Sequence, residues 1–401
     1  MQGLELVPGR ALVRRICLGA LCAGLVASCG GGVDSGGTGA PASFASGPIS
    51  GFGSVIVNDV HFDDRSAAVT DADGNVRSRL DLRLGMTTDV HGTPIGIDAD
   101  GNDASTATSI VFGSAILGPL SASDTVARTL AVLGQTIDIS ASTVFDDSLV
   151  GGQAALLVGD IVEIYASFDV ATTHYAATRI ERKDSAATYR LRGIVSALDA
   201  GAKTFSIGAT RISYAGLAAA SVPATLADGR IVRVALALAP SGGVWAATDI
   251  VDALPSIPDG DDTQIKGLVS SFTSSTDFSV DGTPVDARFA QFPNGSSGLV
   301  LGARVEVRGA AAGGLLVATR VTLDTGGGDD GNDFDVRDVI ASIDTTGQTF
   351  VAHGVTVSYA GTVDFRNGTA ADLAVGRTID ARGSLSADGT RLQATRITFR
   401  D

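Results

Sequence analysis

The sequence predicts an all-β protein: five tandem small OB-like β-barrel repeats of about 70 residues each. Three observations predict it. A glycine that opens an alternating strand recurs at Gly85, Gly159, Gly229, Gly302 and Gly376, at separations of 74, 70, 73 and 74 residues. A closing strand with Thr-x-[Ile/Val] follows in the same phase, beginning at Thr108, Thr178, Thr248, Thr319 and Thr395. A two-residue hairpin turn precedes each glycine, at Asn58-Asp59, Leu133-Gly134, Ile207-Gly208, Asp281-Gly282 and His353-Gly354.

Residues 299–323 carry the pattern most plainly. After Gly302, Ala303, Val305 and Val307 alternate with Arg304, Glu306 and Arg308. A period of two is that of a strand with one face in a core and the other in water. Small residues at 310–314 turn the chain, and 315–323 returns as a second strand. The residue four after each marker glycine is charged in every copy (Asp89, Glu163, Arg233, Glu306, Asp380), and its flanks are apolar except at Thr88. One such strand is ordinary; five in phase are a repeat. The early turns need positive φ, which Gly, Asn and Asp tolerate best. Each unit reads as strand, tight turn, strand, variable stretch and closing hairpin. That many short strands in about 70 residues suit a small barrel, whose closure removes exposed sheet edges. The variable stretch, for example residues 370–375, is expected to make a helical turn that plugs the barrel end, as in OB-like folds.

Arg10, Arg14 and Arg15 precede an apolar run over residues 16–26, too short to span a bilayer and shaped as a signal sequence. It ends in Val26, Ala27, Ser28 and Cys29, a string that resembles a bacterial lipobox. Residues 1–28 therefore read as a lipoprotein signal peptide and Cys29 as the lipidated residue. Cys17 and Cys22 lie in the segment to be removed, so a mature chain keeps one cysteine and no internal disulfide. Residues 29–46 read as a flexible tether. The barrels follow at 47–113, 114–187, 188–252, 263–323 and 334–401, with a Pro/Asp linker at 253–262 and a Gly/Asp linker at 324–333. At a radius of gyration of roughly 11 Å each, five barrels in line would reach on the order of 100–140 Å. An extended array of independent modules is the expectation. Gly30 stands after the cysteine where an aspartate would favour inner-membrane retention. By resemblance to known lipoprotein sorting, this points to the bacterial outer membrane, facing the periplasm or the cell surface.

The formal charge is −15. Aromatics are few, and several fall at inward strand positions such as Phe205 and Phe278. Nucleic-acid sites on such barrels combine basic grooves with stacking aromatics, so no nucleic acid is expected as partner. The membrane, through the N-terminal lipid, and an envelope protein or glycan are the expected partners.

The four histidines (His61, His91, His174, His353) fall at different phases of the repeat, and none forms a zinc spacing. No nucleophile elbow or phosphate-cradling loop is present. The chain reads as no enzyme, with no cofactor beyond a calcium candidate. The string DADGN occurs twice, offering Asp71 and Asp73, then Asp98 and Asp100, and the last linker offers Asp329, Asp330 and Asp333. Oxygen-rich turns suit a hard cation, but the glycine stands at position four and no bidentate glutamate follows, so a plain turn is the competing reading. Trp245 and the tyrosines are either sugar-stacking or packing residues. Tyr214 and Tyr359 occupy matching places, which argues for a repeated structural role.

Four landmarks in order resemble a known bacterial family: Gly-[Ile/Val/Leu]-Val-Ser at 193–196 and 267–270, Phe-x-[Ile/Val]-x-Gly from Phe205 and Phe278, Gly-x-x-Val-x-Val at 302–307, and Ala-Thr-Arg-[Ile/Val] at 177–180, 318–321 and 394–397. The family is number five-six-six-six in the domain-of-unknown-function series, found in tandem in predicted lipoproteins. Repeats two to five match well and repeat one more weakly; Asp338 stands where Gly193 does, and Asp249 where the closing arginine is expected. The resemblance implies OB-like barrels on a lipid-anchored chain and brings no activity. Two functions are open: a non-enzymatic spacer or protein-interaction scaffold, or a lipoprotein that binds calcium or an oligosaccharide through OB-like loops.

Overall fold

The computed structural model describes residues 43–253, 257–324 and 334–400. The signal peptide with Cys29, and the linker carrying Asp329, Asp330 and Asp333, lie outside the described residues.

Barrel four shows the plan. Its strands Gly260–Ser274, Asp277–Val280, Thr283–Asp286, Arg304–Ala312 and Leu315–Leu323 pair in the order one-two-three-five-four and back to one. Every pairing is antiparallel except that of strands three and five. The same closed ring recurs in barrel one, barrel two, barrel three and barrel five. This is the five-stranded Greek-key barrel of the OB fold.

The marker glycine closes the ring. Its amide donates to a first-strand carbonyl in every barrel: Gly85 to Ile49, Gly159 to Leu120, Gly229 to Val195, Gly302 to Val269 and Gly376 to Ile340. The same first-strand residue donates back to the residue after the glycine. All five glycines hold φ between 79° and 99°, a region that costs any residue with a Cβ. Three residues before each glycine stands a leucine that stops the barrel end; Leu82, Leu156, Leu299 and Leu373 are buried, and Leu226 packs against its core. A 3₁₀ turn leads into this plug in barrels one, two, three and five, including Ala370–Asp372. The repeated threonine also has one job. In barrels one, two, four and five its hydroxyl donates to the strand-four carbonyl of His91, Tyr165, Arg308 or Arg382, at the step where the closing hairpin slips register.

One turn departs from expectation. The turn in barrel three is Gly208-Ala209, because Ile207 stays in the strand and is buried. A β-branched residue resists positive φ, so Gly208, at φ 53°, takes the first turn position.

The expected extended array is overturned. The described residues all fall within one compact unit, and the barrels share ladders. Ser43, Phe44, Ala45 and Ser46 pair antiparallel with strand four of their own barrel and parallel with Asp262, Thr263, Gln264 and Ile265 of barrel four. Gly51 and Phe52 run parallel to Asp335 and Val336 of barrel five. Barrels two and three join through Ile116 and Leu117 against Leu191 and Arg190. Their hairpin turns also interlock: the Gln135 amide donates to the Ile207 carbonyl at 2.8 Å, and the Thr210 hydroxyl donates to Leu133. The apolar cores largely follow this grouping, one spanning barrels one and five with Val144 and Tyr165 of barrel two, one spanning two and three, and one in barrel four. The end of the expected tether is therefore strand: Phe44 is 1% exposed and sits in barrel four's core. The expected 253–262 linker likewise ends in strand from Gly260, with Ile257 buried before it. Burying apolar side chains against a neighbouring barrel offers these small modules more than a free end in solvent does.

Candidate functional site

The charged position four after each glycine points away from its own barrel and, in most copies, into a space between barrels. Solvated carboxylates were the expectation there, and the neighbours change it. Glu163 receives the Ser114 hydroxyl at 2.8 Å and pairs with Lys183 at 2.9 Å and Arg190 at 3.5 Å, in a cavity of about 380 Å³ between barrels one and two. Asp89 and Arg233 line a second cavity, of about 650 Å³, where barrels one to four converge. Asp281 faces the same cavity from the barrel-four turn, accepting from Ser167 of barrel two at 3.1 Å. Burial raises the carboxyl pKa of both Asp89 and Asp281, and the positive charge of Arg192 opposes that rise.

The largest of these spaces is a cleft of about 830 Å³ between barrels one and five. Its floor is a row of charges across four strands of barrel five: Asp335 opposite Arg382, Arg382 opposite Arg396, and Arg396 opposite Asp364. Asp380 sits one row away, 7% exposed, and pairs with Arg400 at 2.8 Å. Burial first, and then the charge of Asp380, push the Asp335 carboxyl up to about 7 despite Arg382 beside it. His61 of barrel one also lines the cleft; burial lowers its pKa.

The calcium candidates have protein partners. Asp71 accepts from the amides of Asp73 and Asn75 and pairs with Arg77 at 2.6 Å; Asp98 accepts from the amides of Asp100 and Asn102. Both DADGN strings thus form turns capped by their first aspartate. The second aspartate of each holds a neighbouring barrel: Asp73 meets Arg190 and Arg233 of barrel three, and Asp100 meets Arg337 and Arg400 of barrel five. Among the described residues no three His, Cys, Asp or Glu side chains converge as a metal site.

The aromatic candidates pack. Tyr214 lies 6.0 Å from Phe205, and Tyr359 lies 6.2 Å from Phe350, the same pair in barrels three and five. Trp245 meets Tyr189 edge-on at 5.9 Å. His353 stacks on Phe52 at 4.1 Å, across the joint of barrels five and one, with Nδ1 2.9 Å from Asp338. The inter-barrel clefts have no local signal in the sequence, whereas the plug falls in the stretch expected to turn there, residues 370–375, which holds Leu373. The leucine was legible, three residues before every marker glycine.

A comparison with curated proteins gives no match. Among solved structures the chain is similar to drosophila Unr CSD456, at 13% identity over 48% of this chain and 89% of that one, with a TM-score of 0.14. A superposition that loose carries no argument, and the fold rests on the strand order. Residues 118–181, 266–322 and 339–398 match the family described as Domain of unknown function (DUF5666). Each segment begins in the first strand of a barrel and ends in its last. Three segments of the chain, one each in barrels two, four and five, thus match that domain of unknown function, consistent with tandem repeats of it.

Proposed function

We propose that the chain is a lipid-anchored interaction scaffold of the bacterial cell envelope, non-enzymatic, held through Cys29 in the outer membrane and facing the periplasm or the cell surface. The observation that carries the scaffold reading is the shared ladder at residues 43–46, which ties barrel one to barrel four directly after the tether. A passive spacer gains reach from a string of loose modules; a fused body gains surfaces that no single barrel owns. The non-enzymatic reading is supported by the titratable groups between barrels that hold one another as ion pairs across the joints.

The anchor is tested by labelling cells with palmitate. Wild type should take up label and fractionate with the outer membrane, and Cys29→Ser should lose both; an unlabelled wild type sinks the anchor. The scaffold is tested by photo-crosslinking from cleft-rim and barrel-face positions in envelopes. One reproducible adduct, confined to positions spanning two barrels, is expected, and adducts spread evenly over the surface would contradict it.

A further inference from the structure

The floor of the cleft between barrels one and five has an arrangement that ion pairing alone does not account for. Arg366 and Arg396 both direct Nε at one oxygen of Asp364, at 3.0 and 3.2 Å. Arg382 directs Nε at Asp335, at 2.8 Å. Each guanidinium is thereby oriented from behind, and the terminal nitrogens of all three have no partner among the described residues. Their side chains are 54%, 42% and 45% exposed. Arg382 and Arg396 stand directly opposite each other on neighbouring strands, a like-charge pairing that costs stability unless an anion lies between. Arg65, in contrast, is a closed bidentate pair with Asp63. The cleft gathers six arginines (Arg65, Arg337, Arg366, Arg382, Arg396, Arg400), matched by five lining aspartates and Asp364 behind them, in a chain whose net charge is −15.

Planar guanidinium forks recognise tetrahedral phosphate oxygens through paired N–H donors, and a fork fixed by a carboxylate behind it loses less freedom on binding. We propose that this cleft binds a phosphate-bearing ligand through the terminal amino groups of Arg366, Arg382 and Arg396, with Asp364 and Asp335 as positioning residues. A volume of about 830 Å³ admits a small molecule or a lipid headgroup. The inference deepens the scaffold reading by giving it a ligand class, and its test is independent of the anchor, because binding is read on solubilised protein.

The full chain in neutral detergent is titrated calorimetrically at low salt with pyrophosphate, and separately with glycerophosphoglycerol, the headgroup of phosphatidylglycerol. Saturable one-to-one binding is expected. It should weaken at least tenfold in the R366Q/R396Q double variant, and stay within twofold of wild type in R211Q, which removes an exposed charge on barrel three. Arg396→Lys keeps the charge, loses the fork and should weaken binding several-fold in a protein with wild-type melting. Arginine-dependent binding of the headgroup identifies a lipid source, and arginine-dependent binding of pyrophosphate alone identifies a soluble one. Absence of saturation with both probes overturns the proposal, as does an equal loss in R211Q, which would mark diffuse attraction.

Discussion

Replacing Asp335 by Asn should stabilise the protein at neutral and alkaline pH, with the gain shrinking through mild acid and vanishing below about pH 4. The side chain is 15% exposed. Burial and the neighbouring Asp380 push its carboxyl up to about 7, against an ordinary value of about 3.9 in the unfolded chain. A folded-state pKa above the unfolded one means that the native protein holds the proton more tightly. The stabilisation is complete below about pH 4 and is lost as the pH rises through about 7. About three pH units at 1.36 kcal/mol each set an upper bound of about 4 kcal/mol, and relaxation around the pair brings the expected gain at pH 8 to about 2 kcal/mol. The amide retains a donor toward Asp380 and cannot ionise. The assay is the guanidinium midpoint of wild type and variant at pH 5, 6, 7 and 8, read as the difference between the two so that other titrating groups cancel. The variant should lead slightly at pH 5, its lead growing through pH 6 and 7 and levelling off by pH 8. A variant that is less stable at pH 8 refutes the reasoning, since Arg382 would then reward the ionised carboxylate more than burial and Asp380 penalise it.

Further perturbations separate the barrel from the body. Gly229→Ala, at φ 84° with open space around the added methyl, should cost about 1–2 kcal/mol of backbone strain alone. Gly85→Ala should cost clearly more, because its Cβ would enter the Thr178 carbonyl of barrel two; equal losses in melting temperature would contradict the packed joint. Val305 is fully buried, so Val305→Asp should unfold barrel four at a cost of about 3 kcal/mol or more. Amide exchange at residues 43–46 of barrel one should quicken with it, since they pair with barrel four; unchanged protection there would favour independent modules. Excess calcium, compared with chelator, should leave the melting temperature where it is, because Asp71 and Asp98 already cap their turns. A rise of several degrees would restore the cation reading.

The barrel was legible because its signals are local. Alternation around Val305, glycine at fixed φ and the Thr-x-[Ile/Val] strand each act within a few residues, so five copies reinforce one another. The turn at Ile207 was misplaced by one residue because the pattern marked the pair and only side-chain sterics choose its register. The assembly left no such trace. Phe44 reads as part of a Gly/Ser tether until its partner, some 220 residues on by the repeat spacing, is known. Asp73 and Asp100 read as turn residues because that is what their immediate neighbours make them, and their arginines lie in other barrels. Arg366, Arg382 and Arg396 belong to three strands, and only the register sets them side by side.

Small-angle scattering of the solubilised chain, with the detergent contrast-matched, tests the joined body most directly. Five barrels sharing ladders predict a radius of gyration of about 22–26 Å, a little above the roughly 21 Å of one globule of that length. A value above about 30 Å, with the profile of a rod on the order of 100–140 Å long, would mean separate barrels in line and would contradict it.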